Sequence, residues 1–109
     1  QGITDVVRGS DLLETTAQQR QICLALEGTP PAWAHIPVVL NGEGQKLSKQ
    51  NHAPALDESQ PGRNLWHALA TLGQCPPLSL QGDRPDQILA WALEHWSLDH
   101  IPLQHARQP

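Results

Sequence analysis

Proline constrains this chain more than any other residue type. Ten occur in 109 residues, and each removes a backbone donor and locks φ near about −65°. Pro30-Pro31 and Pro76-Pro77 exclude helix interiors and central strands where they stand, and Pro54 and Pro61 break the stretch between them. Only short elements fit between these points. No apolar run approaches the roughly 18 residues of a membrane span, so none is expected.

Ile3-Thr4-Asp5-Val6-Val7 is short and β-branched and predicts a strand, with Arg8-Gly9-Ser10-Asp11 turning directly after it. Thr16, with Gln19 three residues on, predicts a capping box. The helix behind it would run from Ala17 to Glu27, carry Ile22, Cys23 and Leu26 on its apolar stripe, and stop at Gly28. Ile36 to Leu40 is apolar throughout, which predicts a strand buried on both faces of a parallel sheet. Strand, helix and strand then make one crossover unit, right-handed by the general rule. Ligands of open α/β sheets bind at the C-terminal edge of the strands, where Arg8 and Asp11 would lie.

The second half has another character. Asn51 to Gly62 reads as a loop, and Pro61 suits the first turn of a helix whose stripe is Leu65, Ala68, Leu69 and Leu72, ended by Gly73. Asp83 or Asp86 would cap a last helix from Pro85 to Trp96, with Leu89, Ala92/Leu93 and Trp96 facing inward. From Ser97 onward the chain reads as irregular. Trp66, Trp91 and Trp96 recur among leucines and read as core, with base stacking as the alternative. The fold class is α/β: the end of a sheet domain over residues 1–52, then a small all-helical region over 53–109.

A net charge of −4 argues against a generic nucleic-acid binder, which shows a basic excess. Arg63 and Arg84 are generic candidates for phosphate contacts. Cys23 and Cys75 are far apart and outside any Cys-x-x-Cys pair, so no zinc site can be read from them. They read as reduced, buried thiols of a cytoplasmic protein. The start at Gln1-Gly2, without initiator Met or targeting peptide, reads as a piece of a longer chain, a processed start being the alternative. An incomplete sheet exposes an edge, and pairing of two copies over it is a further expectation; the oligomeric state is otherwise open.

The chemistry concentrates in Lys46-Leu47-Ser48-Lys49-Gln50, behind Asn41-Gly42-Glu43-Gly44-Gln45. Two ammonium groups and a hydroxyl on a Gly-flanked, mobile-looking segment suit a grip on polyphosphate while its charge moves. A solvated loop has the same composition. Arg8 offers a fork for two-point recognition of a carboxylate, or an internal pair with Asp5 or Asp11. Asp11 can also cap the following turn. His35 reads as a satisfied structural histidine, His52 as a weaker candidate for touching RNA, and the other histidines have no ligand spacing.

Three blocks in order, Val7-Arg8-Gly9-Ser10-Asp11, Ala34-His35-Ile36-Pro37-Val38-Val39-Leu40-Asn41 and Lys46-Leu47-Ser48-Lys49-Gln50, resemble consecutive blocks of the glutamyl-type class I aminoacyl-tRNA synthetases. The last resembles the KMSKS loop of that class. Asn51-His52-Ala53-Pro54-Ala55-Leu56 resembles the glutamyl-Q branch, as does Gln50, which departs from the Ser or Arg common at that position. The short stretch after Gln50 leaves no room for separate anticodon-binding domains, which also suits that branch if the chain ends near Pro109.

The resemblance implies a Rossmann-like catalytic domain and an ATP-dependent ligase that activates glutamate and attaches it to the queuosine base in the anticodon of tRNA(Asp). ATP would come with Mg2+. Lys49 and Lys46 would be catalytic, stabilising charge on the α-phosphate and the leaving pyrophosphate. Asp11, Val38, Val39, Leu47, Ser48 and Lys49 would bind ATP, with Asp11 at the ribose and Val38, Val39 and Leu47 flanking adenine through the backbone. Arg8 would bind glutamate. No metal ligand is implied here; zinc would belong to a preceding part, as would the HIGH-type motif. The chain by itself is therefore expected to be inactive in glutamate activation. Two alternatives stay open: a truncated glutamyl-tRNA synthetase charging tRNA(Glu), and a non-catalytic RNA-binding or interaction module, against which the acidic charge speaks.

Overall fold

The computed structural model describes residues 1–48, 50 and 52–103, and the backbone of 106–107. Its first strand, β1 (Asp5–Gly9), passes through a 3-10 turn at Ser10–Thr15 into helix α1 (Thr16–Ala25), and β2 (Ala32–Ile36) follows. β1 and β2 pair in parallel, Asp5 with Ala32 through Gly9 with Ile36, so Arg8 and His35 are register partners. β1 begins two residues later than the composition suggests and carries Arg8 inside the ladder rather than in a turn. The β-branched run is therefore not the whole strand; pairing with β2 extends it.

The expected strand from Ile36 to Leu40 is divided. Pro37, buried and without an N–H to donate, stands between β2 and β3 (Val38–Val39). β3 pairs in parallel with β4 (Ala106–Arg107) instead of continuing the first ladder. The region expected to be all-helical thus contributes a strand to the sheet side of the molecule. Val38, Val39 and Leu40 are half-buried rather than enclosed on both faces.

In α1 the expected capping box does not form: the N-cap is Thr15, with no side-chain cap bond. Thr16 and Gln19 are engaged elsewhere, as described below. The helix ends two residues early, and Glu27, not Gly28, takes the left-handed conformation (φ 60°). Gly28 is needed for a different reason, since a Cβ there would lie 3.0 Å from Cys23 Sγ. Ile22 and Leu26 are exposed, and α1 buries no residue.

The hydrophobic core lies between α2 (Pro61–Thr71) and α3 (Pro85–His95), where Leu69, Ile88 and Ala92 are buried against Leu65, Leu80 and Trp91. Both helices open with proline, whose missing N–H costs nothing at a helix start. Neither Asp83 nor Asp86 caps α3; Arg84 is the N-cap residue and Asp86 pairs with it at 2.9 Å. The inward face of α3 is the expected one only at Ala92, which is buried. Ile88 is fully buried, while Leu89, Leu93 and Trp96 are exposed. α3 carries two apolar stripes one residue out of phase, and packing on α2 selects the one through Ile88. Trp66 is half-buried with its indole N–H on the Pro77 carbonyl at 2.9 Å.

The two helices are closed at their far ends by Gln74. Its buried side-chain amide donates to the carbonyls of Leu72 and Ser97, each at 2.9 Å, and accepts the Ser97 N–H at 2.8 Å. Both cysteines are free thiols, but Cys23 is half-buried and Cys75 exposed, not buried as expected. No helix among the described residues is long and apolar enough to cross a membrane.

Candidate functional site

Arg8, Asp11 and Lys46 come together at the C-terminal end of β1. Arg8 lies within the strand, and Asp11 in the first turn of the 3-10 segment that follows. Gly9 between them has no side chain for a specific reason: a Cβ there would stand 2.5 Å from Asp11 Oδ1 and 3.0 Å from a Val38 methyl. The bare backbone lets the Asp11 carboxylate fold back against the strand end.

Lys46 reaches this point from a tight turn. Leu40 and Lys46 form an antiparallel bridge, and Asn41 ties the residues between them. Its side-chain oxygen accepts the N–H groups of Glu43 and Gln45, each at 2.9 Å, while its own N–H donates to the Gln45 carbonyl at 2.7 Å. The glycine-rich segment is thus an organised Asx-type turn rather than a loose tether. It delivers Lys46 Nζ to 2.7 Å from Asp11 Oδ2. The hydrogen bond from Lys46, together with its charge, holds the Asp11 carboxyl below its ordinary range; the Arg8 charge adds a smaller effect in the same direction.

The Arg8 guanidinium is held by neutral groups. Nε–H donates to His35 Nε2 at 3.1 Å, Nη1 to Gln19 Oε1 at 2.6 Å, and Nη2 to Thr16 Oγ1 at 2.9 Å and the Leu12 carbonyl at 3.3 Å. Neither Asp5 nor Asp11 is among its partners, so the internal ion pair weighed from the sequence does not form. Asp11 is taken by Lys46 instead. Arg8 keeps its full charge beside an oriented set of neutral acceptors. These four bonds occupy four of the five guanidinium N–H groups, which restricts the two-point grip expected of it. The fifth N–H, on Nη1, is the one the described residues leave over.

The remaining positions flank this cluster. Val38 and Val39 lie on β3, and the Leu47 N–H donates to the Val39 carbonyl at 2.9 Å. Those two backbone groups are committed to each other. Ser48 is half-buried and its carbonyl accepts the Ala53 N–H at 3.1 Å. Lys49, the second lysine of the Lys46–Gln50 segment, lies outside the described residues. No cluster of three or more potential metal ligands exists among the described residues.

With this geometry in place, the comparison with known families is direct. A model of the catalytic domain of class I tRNA synthetases (E and Q) matches residues 1–76. The chain belongs to that family. The class I match takes in Arg8, Asp11, Lys46 and the whole of α2. Curated relatives named glutamyl-Q tRNA(Asp) synthetase include one from Pectobacterium atrosepticum, 49% identical over 97% of this chain, and one from Thiobacillus denitrificans, 51% identical over 94%. Another, from Yersinia pseudotuberculosis, is 44% identical over the whole chain. The class I chain spans about a third of the length of each (33%, 34% and 33%).

Three contributors to the Arg8 setting were not legible as such. Thr16 and Gln19 fit a capping box equally well by spacing, and His35 reads as structural. A signal existed in the strand register: once Arg8 is placed in β1 and His35 in a parallel β2, their side chains share a face at neighbouring strands, about 4.8 Å apart. The Leu12 carbonyl carries no sequence signal, because any residue supplies one.

Proposed function

We propose that this chain is part of an ATP-dependent ligase that activates glutamate and transfers it to the queuosine base in the anticodon of tRNA(Asp), on a Rossmann-like catalytic domain. The observation that carries the reading is Arg8: a cation fixed by four neutral partners at the C-terminal end of a parallel strand, 11 residues before Gln19 and 27 before His35 in sequence. Such a group keeps its charge for an anionic ligand, and glutamate is one. The relatives' names point to the same amino acid and the same acceptor.

In this reading a glutamate carboxylate oxygen attacks the α-phosphorus of ATP, the bond to the β-phosphate breaks, and pyrophosphate leaves. ATP enters with Mg2+ as substrate. The protein's work is positioning and charge stabilisation. Lys46 and Lys49 neutralise the phosphates, with Ser48 shaping the loop, and Asp11 accepts from the ribose hydroxyls. Val38, Val39 and Leu47 flank adenine. Asp11 and Lys46 pair at 2.7 Å, and in this reading the ribose and the phosphates take the place of that pairing. Arg8 takes a carboxylate of glutamate through its charge and its remaining Nη1 N–H, and a full two-point grip would require Gln19 to swing away.

The test is glutamate transfer by the complete protein to tRNA(Asp) carrying queuosine, beside tRNA(Glu), with Lys49→Ala and Arg8→Ala as controls. Transfer to tRNA(Asp) alone, lost in both variants, is the expected result. Transfer to tRNA(Glu) would make it a glutamyl-tRNA synthetase of the ordinary kind, and transfer to neither would overturn the enzymatic reading.

A further inference from the structure

We infer that His35 is the positioning residue for Arg8, and that it makes the affinity for the anionic amino-acid substrate fall as the pH drops. The inference rests on the reading of Arg8 as the glutamate-binding group. For Nε2 to accept the Arg8 Nε–H at 3.1 Å, the imidazole must be neutral, with its proton on Nδ1. Nε2 has one in-plane lone pair, and Arg8 uses it. The Thr16 hydroxyl, 3.3 Å from the same nitrogen, therefore directs its own proton to the Leu12 carbonyl.

His35 holds the guanidinium at its Nε edge, the edge farthest from a ligand that approaches Nη1. A carboxylate in its place would orient Arg8 equally well but would cancel its charge. A neutral acceptor orients without cancelling. The arrangement has a consequence that Gln19 and Thr16 do not share: of these side-chain partners only the imidazole can exchange the lone pair that Arg8 uses for a proton. Protonated His35 has no acceptor on Nε2 and places a second cation against Arg8. The guanidinium then loses its anchor.

The groups facing His35 allow this. From β1 the charged neighbour is Arg8, and beyond it the Asp11 carboxylate is paired with Lys46. Among the described residues, His35 also lines a cleft of about 290 Å³ with Ser10, Leu13, Leu98, Ile101, Pro102 and Leu103, none of which titrates.

The test is glutamate-dependent exchange between ATP and pyrophosphate by the complete enzyme, from pH 8 to 5.5, for the unsubstituted protein, His35→Ala, His35→Gln and Arg8→Lys. We expect His35→Ala to raise the KM for glutamate roughly tenfold, with kcat and the KM for ATP within about twofold. His35→Gln, a neutral acceptor that does not titrate, should recover most of the loss and abolish the rise of glutamate KM toward low pH. If His35→Ala fails to fold, the pH profile of His35→Gln decides. An acid-side rise that persists in His35→Gln, or an unchanged glutamate KM in His35→Ala while Arg8→Lys raises it, overturns the role of His35 and leaves that of Arg8 standing. An unchanged glutamate KM in Arg8→Lys, or no glutamate-dependent exchange at all, overturns both.

Discussion

Lys46 Nζ stands 2.7 Å from Asp11 Oδ2, closing 35 residues of chain with one ion pair. It joins the end of β1 to the turn behind β3. Asp11 is held below its ordinary value of 3.8, first by the hydrogen bond from Lys46. A carboxyl depressed by folding contributes stability that is present above its unfolded value and lost as the pH falls through the folded one. The contribution should therefore be intact well above pH 3.8, decline as the pH falls below that value, and vanish only below the depressed value of the folded state. Carboxyl NMR titration should show Asp11 moving back up in Lys46→Ala; an unmoved value would mean that the pair does not persist in solution.

Gly9→Ala should dislodge Asp11. The new methyl would meet the carboxylate at 2.5 Å and Val38 at 3.0 Å, and overpacking of this kind costs about 1–3 kcal/mol. Gly42→Ala is the control, with nothing within 4 Å, and should stay within about 0.5 kcal/mol. Denaturant unfolding of both variants measures the difference. Equal stabilities would show that the strand end has room to spare.

Gly73 ends α2 at φ 74°, with the His100 carbonyl where a side chain would begin. Alanine must accept both a left-handed backbone and that clash. The left-handed conformation alone costs an L-residue about 1–2 kcal/mol, so Gly73→Ala should lose at least that much. Thermal unfolding checks it, and a loss below about 0.5 kcal/mol would contradict the close approach of the 98–100 turn.

Gln74→Leu should destabilise by about 1–3 kcal/mol, because it leaves the half-buried Ser97 N–H and carbonyl without their partner. Hydrogen exchange should report it locally. The Ser97 amide is expected to lose protection while those of β1 and β2 keep theirs; uniform loss would mean that the clamp does not act locally.

Much of the molecule could be read from residue order. Pro61 and Pro85 start the helices they were expected to start, and Gly73 lies just past the end of α2. A parallel pair follows from a strand–helix–strand order, although the partner of β1 is Ala32–Ile36 and not the expected Ile36–Leu40. These are local matters, decided by missing donors, permitted φ values and spacing. The three blocks around Arg8, Val38 and Lys46 were legible for a related reason, since each is a contiguous run.

What failed was phase and partner. The stripe expected on α3 ran through Leu89, Leu93 and Trp96, and packing on α2 buried Ile88 instead. Thr16 and Gln19 had the spacing of a cap and became holders of Arg8. β3 took its partner from Ala106–Arg107 at the far end of the chain.

The sequence alone determined that Pro61 and Pro85 open helices and that Gly73 closes one, and which family's blocks the chain carries, because φ limits, missing donors and contiguous motifs are properties of neighbouring residues. Only the tertiary structure decided that Arg8 would be held by neutral groups while Asp11 went to Lys46. Contacts across 27 and 35 residues depend on strand register and loop closure, and no short stretch of sequence contains either.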